Sequence, residues 1–292
     1  MEIGFIGFGE AGRAFQKSIA AHEGAVSFRA FDILLDSQGR AGECGLAMQR
    51  QGVAVADEPA VLAAADWVFS AVTADSSLEA AHAACAWLRP GQVFFDINSV
   101  SPARKRESAE RVGATGAAYV DMAVMAPVHP KGHRTPVLLA GAVGPDIESR
   151  LKALDFAFET VGPDVGAATA IKMVRSLFVK GLEAITVEAL LAAAASGCFD
   201  HVMKSLSGSF PGLGWPQFAR YEFERTTTHG RRRAAEMRES ARTLAGLGLH
   251  AALADAIADV QDAMGAAGGA ELAGDDLAEA IAAIARRRQI LA

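Results

Sequence analysis

The chain has 292 residues, 51% of them apolar and 21% charged, with a net charge of −6 and 3 cysteines. Such a composition fills a core and excludes disorder over most of the chain, and the length suits two domains of roughly 100–200 residues each. The mildly acidic balance lacks the basic footprint of a nucleic-acid binder.

Cys44, Cys85 and Cys198 match no zinc spacing, and their odd number suits a reducing, cytoplasmic setting. The opening Met1-Glu2 runs straight into an apolar segment with no basic stretch before it, so no secretory leader is expected. No apolar run reaches about 18 residues, so no membrane span is expected.

Short apolar runs bounded by Gly, Pro, Asp or Asn predict strands over residues 2–7, 26–32, 67–72, 92–97, 119–124 and 136–141. Most are apolar on both faces, the pattern of parallel strands covered by helices. Ala-rich stretches over 12–21, 58–65 and 77–88 predict intervening helices. The alternation predicts a doubly wound α/β domain over residues 1–162. Gly162-Pro163 is a turn signal, and no strand pattern follows Gly166. Residues 167–195 predict one long helix, with apolar residues recurring at three and four. The rest is predicted helical, broken at 207–216 and near 265–274, with the Ala/Gly tract 263–273 read as a loop. A linking helix and an all-α domain are therefore expected over 163–292.

Gly7-Phe8-Gly9-Glu10-Ala11-Gly12 is a G-x-G-x-x-G segment between a predicted strand and a predicted helix. In that setting the first Gly makes a tight turn, the second admits a pyrophosphate and the third lets helix pack on strand. The second strand ends at Asp32, 20 residues after Gly12, where a carboxylate accepts from the adenosine ribose and repels a 2′-phosphate. A Rossmann-type dinucleotide site is expected, with NAD favoured over NADP. Arg29 lies inside the second strand rather than in the loop after it. Thr73 ends the fourth strand, either near the cofactor ribose or as a plain turn residue.

Lys172, Arg175, Ser176 and Lys180 share one face of the long helix, whose other sides are nearly all apolar. A solvated face is the plain alternative, but a helix so apolar elsewhere is expected to be mostly buried, with its cations lining a cleft. Asn98 follows a strand, where open α/β sheets bind ligands, or else caps the next helix as Ser99 and Ser101 do equally well. His129, Lys131 and His133 have suggestive spacing, yet no carboxylate or Cys completes a metal set, so no metal is expected. His229-Gly230-Arg231-Arg232-Arg233, followed by Glu236 and Glu239, reads as an Arg–Glu paired surface helix or as an anion clamp.

Three ordered segments resemble the β-hydroxyacid dehydrogenase superfamily, which includes 6-phosphogluconate and 3-hydroxyisobutyrate dehydrogenases. They are the opening Gly-Phe-Ile-Gly-Phe-Gly-Glu-Ala-Gly, the Asp96-Ile97-Asn98-Ser99-Val100-Ser101-Pro102 segment and the Gly166–Lys172 helix start. The resemblance implies a hydride transfer between NAD(H) and the hydroxyl-bearing carbon of a small anionic hydroxy acid. It makes Lys172 the general acid/base, with Asn98 and Ser176 orienting the oxygen. Substrate contacts are expected at Ser99 and Met125 and, because Met125 and Pro127 replace the family's carboxylate-binding loop, at Arg175 and at His229 and Arg232 of the helical domain; the resemblance implies a homodimer. The family's D-A-P-V-S-G-G loop is replaced by Asp121-Met122-Ala123-Val124-Met125-Ala126-Pro127, and its two Asn after the lysine by Arg175 and Ser176. Pro127 has no N–H for an anion. These departures mark a divergent branch, resembling the phosphogluconate-dehydrogenase-like group, whose substrate is not copied from the better-known members. Imine reduction and a catalytically silent NAD-binding regulator are the alternatives. Lys172 speaks against the first, and the stripe from Lys172 to Lys180 against the second.

Overall fold

The computed structural model describes residues 1–268 and 276–290. It divides the chain into two compact units, Met1–Lys172 and Met173–Ala292, so the division falls within the long helix rather than at Gly162.

The first unit is built on one eight-stranded sheet. Its strands are β1 (Glu2–Ile6), β2 (Ser27–Phe31), β3 (Ala54–Val55), β4 (Trp67–Ser70), β5 (Val93–Asp96), β6 (Ala118–Val124), β7 (Val137–Gly141) and β8 (Phe158–Gly162). The order is β3-β2-β1-β4-β5-β6-β7-β8, which reverses between β1 and β4. The first six strands pair in parallel. β7 turns antiparallel on β6, and β8 runs parallel to β7. The link from β6 to β7 carries Pro127, Pro130 and Pro136 and only a short 3-10 turn at Gly132–Arg134, with no crossover helix to reverse the chain.

The helices of this unit are α1 (Glu10–His22), α2 (Leu34–Gln38), α3 (Glu43–Arg50), α4 (Ser77–Ala84), α5 (Pro102–Ala114) and α6 (Pro145–Ala153). The stretch predicted helical over 58–65 is a 3-10 helix, Pro59–Ala64. Both strands that sequence reading missed lie at sheet edges, where little apolar patterning is needed: β3 has two residues, and β8 exposes Glu159 and Thr160. The core is aromatic. Phe69 stacks on Phe95 at 4.7 Å, and Phe5, Phe15 and Phe156 close around it. Each such pair adds roughly 0.5–1.5 kcal/mol beyond area burial.

The long helix α7 spans Ala167–Ala195, with the predicted bounds. The second unit continues with α8 (Phe199–Ser209), α9 (Gln217–Gly246), α10 (Ala251–Ala266) and α11 (Leu277–Arg287). α8 therefore runs on through Ser207, α10 includes residues 263–266 of the predicted loop, and residues 269–273 lie outside the described residues. Val187, Leu190 and Leu191 of α7 pack with Phe223, Met264 and Ile281. α9 and α10 meet backbone to backbone: a Cβ on Gly230 would stand 2.2 Å from the Gln261 carbonyl oxygen. Among the described residues, no helix is long and apolar enough to cross a membrane.

A polar cluster lies inside this unit. The Glu183 carboxylate accepts from Arg233 Nε at 3.0 Å, from Arg233 Nη2 and from Gln261 Nε2 at 2.8 Å. Glu222 is 5% exposed, and its Oε2 has no hydrogen-bond partner. Burial, then the nearby Glu183 charge, raises its pKa from the ordinary 4.5 to about 7. An acid whose pKa rises on folding stabilises the fold when protonated. That contribution is whole below pH 4.5 and is lost as pH climbs through about 7. Glu222→Gln should therefore melt higher than wild type at pH 8, by at most about 3 kcal/mol of stability, and match it near pH 4. Parallel melts at the two pH values check this, and equal differences at both would refute it.

Candidate active site

The loop after β1 has the geometry its glycines demand. Gly7 has φ +85°, and a Cβ there would lie 2.5 Å from the Ala71 carbonyl oxygen. At Gly9, which precedes α1, a Cβ would meet no atom within 4 Å, so open space faces the backbone where a pyrophosphate must approach. The α1 N-terminus begins at Glu10 with no side-chain cap from Gly9, leaving the fit to an anion intact. Ala11 lies within the first turn. Phe8 differs from a simple phosphate cradle: its ring is fully buried, and its N–H donates to Asp32 Oδ2 at 2.7 Å.

Asp32 follows β2 and is half-buried, its Oδ1 accepting from Leu34 N at 3.0 Å. It raises the pKa of the adjacent Cys44 thiol, an effect second to burial. Arg29 pairs with Glu2 at 2.9 Å across β1 and β2, away from the loop. Thr73 is exposed and donates to Ser76 Oγ at 3.2 Å, as a turn residue does.

Asn98 does not point into a cleft. Its Oδ1 accepts from Val72 N at 2.8 Å, and its Nδ2 donates to Ser70 Oγ at 2.9 Å and Asp96 Oδ1 at 2.8 Å. It is 4% exposed and ties the ends of β4 and β5 together, in place of the substrate contact or helix cap expected of it. The neighbouring Ser99 is the residue that meets the lysine: Lys172 Nζ donates to Ser99 Oγ at 2.6 Å. Lys172 and Ser99 are each half-buried. Met125 is closed to an anion, because its N–H donates to the Pro136 carbonyl at 2.9 Å and its side chain packs on Ala123, Ala140 and Ala168. His133 is buried, its ring held by Ser18 Oγ at 2.7 Å and the Leu154 carbonyl at 2.8 Å, and burial lowers its pKa. Among the described residues no group of three or more His, Cys, Asp or Glu could hold a metal ion.

Residues 2–155, over half the chain, match the NAD-binding domain of 6-phosphogluconate dehydrogenase. The chain belongs to this family. Residues 193–264 match a domain of unknown function, DUF1932. A conserved hypothetical protein from Sinorhizobium meliloti 1021 is 33% identical, with TM-score 0.76 over 98% of this chain and 96% of that one. A conserved protein of unknown function, whose structure shows similarity with 3-hydroxyacid dehydrogenases, is 27% identical, with TM-score 0.70 over 90% and 96%. Mycobacterium tuberculosis 3-hydroxyisobutyrate dehydrogenase, solved with L-serine, shares the fold at 19% identity, with TM-score 0.71 over 96% and 98%.

In this member of the NAD-binding-domain family the remaining expected residues belong to the helical unit. There the stripe on α7 does not act as one set. Lys180 is buried and pairs with Glu236 at 2.8 Å, Ser176 is buried, and Arg175 is exposed. His229 is half-buried and Arg232 exposed, whereas Arg233 is the buried partner of Glu183. Charge pairs here run mostly between helices, as in Arg238 with Asp262, and along one helix in Arg242 with Glu239. α7 is not mostly buried either. Ile171, Val174, Phe178 and Ile185 are exposed on one helical face, Phe178 by 73%.

Sequence reading missed Lys105, Asp96 and Tyr119, which meet Asp121 in a buried cluster beside Ser99 and Lys172. The clue was a lysine inside a charged helix start that follows a strand, ambiguous without its partners.

Proposed function

We propose that this protein is an NAD-dependent oxidoreductase that moves a hydride between the nicotinamide and the hydroxyl-bearing carbon of a small anionic hydroxy acid. The observation that carries the reading is Lys172 Nζ at 2.6 Å from Ser99 Oγ, on the loop that follows β5 in a family of NAD-binding domains. The glycine loop Gly7–Gly12 and Asp32 would hold the cofactor, which when bound would supply the hydride chemistry. In oxidation, the Lys172 amine takes the hydroxyl proton as C–H becomes hydride and C–O becomes C=O; in reduction the ammonium returns it. Ser99 orients Nζ. Arg175, exposed and charged, is the candidate for the substrate anion. Lys172 in this setting favours carbonyl chemistry over C=N reduction or a silent regulator. The test is absorbance of the reduced nicotinamide across a panel of 2- and 3-hydroxy acids. Turnover of at least one supports the reading, and none with any member, against activity on cyclic imines, overturns it.

The same assay checks cofactor choice. Asp32 stands where a ribose hydroxyl donates and a 2′-phosphate is repelled, so NAD is expected to give the higher kcat/KM. Asp32→Ser should narrow the gap, chiefly through KM. A wild-type preference for NADP would refute this assignment.

A homodimer in the cytoplasm completes the reading. The three cysteines are free, and the exposed apolar face of α7 suits a second copy. Phe178→Asp should shift the sedimentation coefficient to that of a monomer; an unshifted dimer would remove α7 from the interface.

A further inference from the structure

Asp121, on β6, is completely buried, and what it holds is the start of α7. Its Oδ2 accepts from Gly166 N and Thr169 N, each at 3.1 Å, and its Oδ1 from Thr169 Oγ1 at 2.6 Å. Lys105, on α5, is equally buried. Its Nζ donates to the Asp96 carbonyl at 2.7 Å and lies 2.9 Å from Asp96 Oδ1 and 3.6 Å from Asp121 Oδ1. Asp96 also accepts from Tyr119 Oη at 2.7 Å and from Asn98 N at 2.9 Å. Asn98 immediately precedes Ser99, the acceptor of Lys172. Lys172 is thus linked at one remove to two carboxylates that share one ammonium: Asp121 ties down Gly166 and Thr169 at the start of its helix, and Asp96 holds Asn98, the neighbour of its acceptor Ser99.

We propose that Lys105 is a positioning residue for Lys172, its charge locking Asp121 and Asp96 in the register that sets the Lys172 amine on Ser99. This rests on Lys172 being the proton-transfer group. Stability gives little reason for a charge here, since a buried ion pair replaced by well-packed apolar groups is often no less stable. A single cation between two carboxylates does specify one geometry. The Tyr119 hydroxyl keeps its donor role, because burial and then the Asp96 charge push its pKa well above the ordinary value.

Lys105→Met alone strands two buried carboxylates and invites unfolding. The test therefore uses Lys105→Met/Asp121→Asn and the milder, isosteric Thr169→Val, with Thr169→Ser as the conservative rescue. Two readouts are taken on the full-length protein: steady-state kinetics, and acetylation of Lys172 by acetic anhydride followed by mass spectrometry. Acetylation needs no substrate. Both disruptive variants should change the Lys172 acetylation rate by at least about threefold and lower kcat about ten- to a hundredfold, with KM for NAD unchanged. Thr169→Ser should restore both. Folded Lys105→Met/Asp121→Asn with wild-type acetylation and kcat overturns the proposal, and folded Thr169→Val with both unchanged overturns the route through Asp121. If acetylation responds while no hydroxy acid is turned over by wild type, the positioning stands and the functional reading fails. If wild type turns over but acetylation does not respond, the positioning alone fails.

Discussion

Lys172→Ala is expected to lower kcat by at least about a hundredfold, the lower range of what a positioned acid or base contributes. NAD affinity should hardly change, because the glycine loop and Asp32 do not depend on this side chain for any bond described above. Lys172→Arg should fail to rescue it: a guanidinium keeps its proton at any pH the fold tolerates. Ser99→Ala should produce a smaller loss, since it removes one hydrogen-bond partner of Nζ and leaves the amine in place. The pH–rate profile of Lys172→Ala should lose the limb that belongs to the amine. A mutant with near-normal kcat would sink the mechanism, and one that loses NAD binding with its activity would make Lys172 a cofactor ligand instead.

Arg233→Met is expected to cost about 3–5 kcal/mol of stability, the usual penalty for breaking a buried pair from one side. Glu183 has a side chain only 3% exposed, and without Arg233 it keeps Gln261 as a donor while the orphaned Glu222 carboxyl stays nearby. At roughly 2–4 °C per kcal/mol, Tm should fall on the order of 10 °C. Glu183→Gln added to Arg233→Met should recover most of that loss, because the stranded Glu183 charge is then gone. A single mutant within about 2 °C of wild type would show that Glu183 finds water or another cation.

These two residues show what sequence patterning carries and what it does not. Lys172 could be singled out as a candidate from its neighbours in the chain: a glycine-led helix start and an apolar helix around it. α7 itself was legible to both ends, since 29 residues of helical periodicity leave no competing reading. The glycine loop and Asp32 were legible for the same reason, being local. Arg233 looked like part of a paired surface helix or an anion clamp, and Lys180 like a cation lining a cleft, yet each is buried against a partner on another helix, Glu183 and Glu236, fifty or more residues away in the chain. Lys105 sits in a run of charges that reads as solvated until β5 and β6 bring two carboxylates to it. Asn98 carried the right position but the wrong partner, because a carboxamide at a strand end bonds whichever backbone the sheet presents first. Local spacing reveals elements and loops; burial of a charge depends on pairings that spacing does not encode.

The cap that Asp121 places on α7 also decides which end of that helix is quiet. Helix ends ordinarily fray, and a side chain in the first two turns shares that motion. Here two amides and a hydroxyl of the opening turn are tied to a carboxylate in the middle of the sheet, so the end can open only by breaking three buried bonds together. The helix turn that carries the amine, three residues on from Thr169, is thereby anchored to the sheet rather than left as a free helix tip.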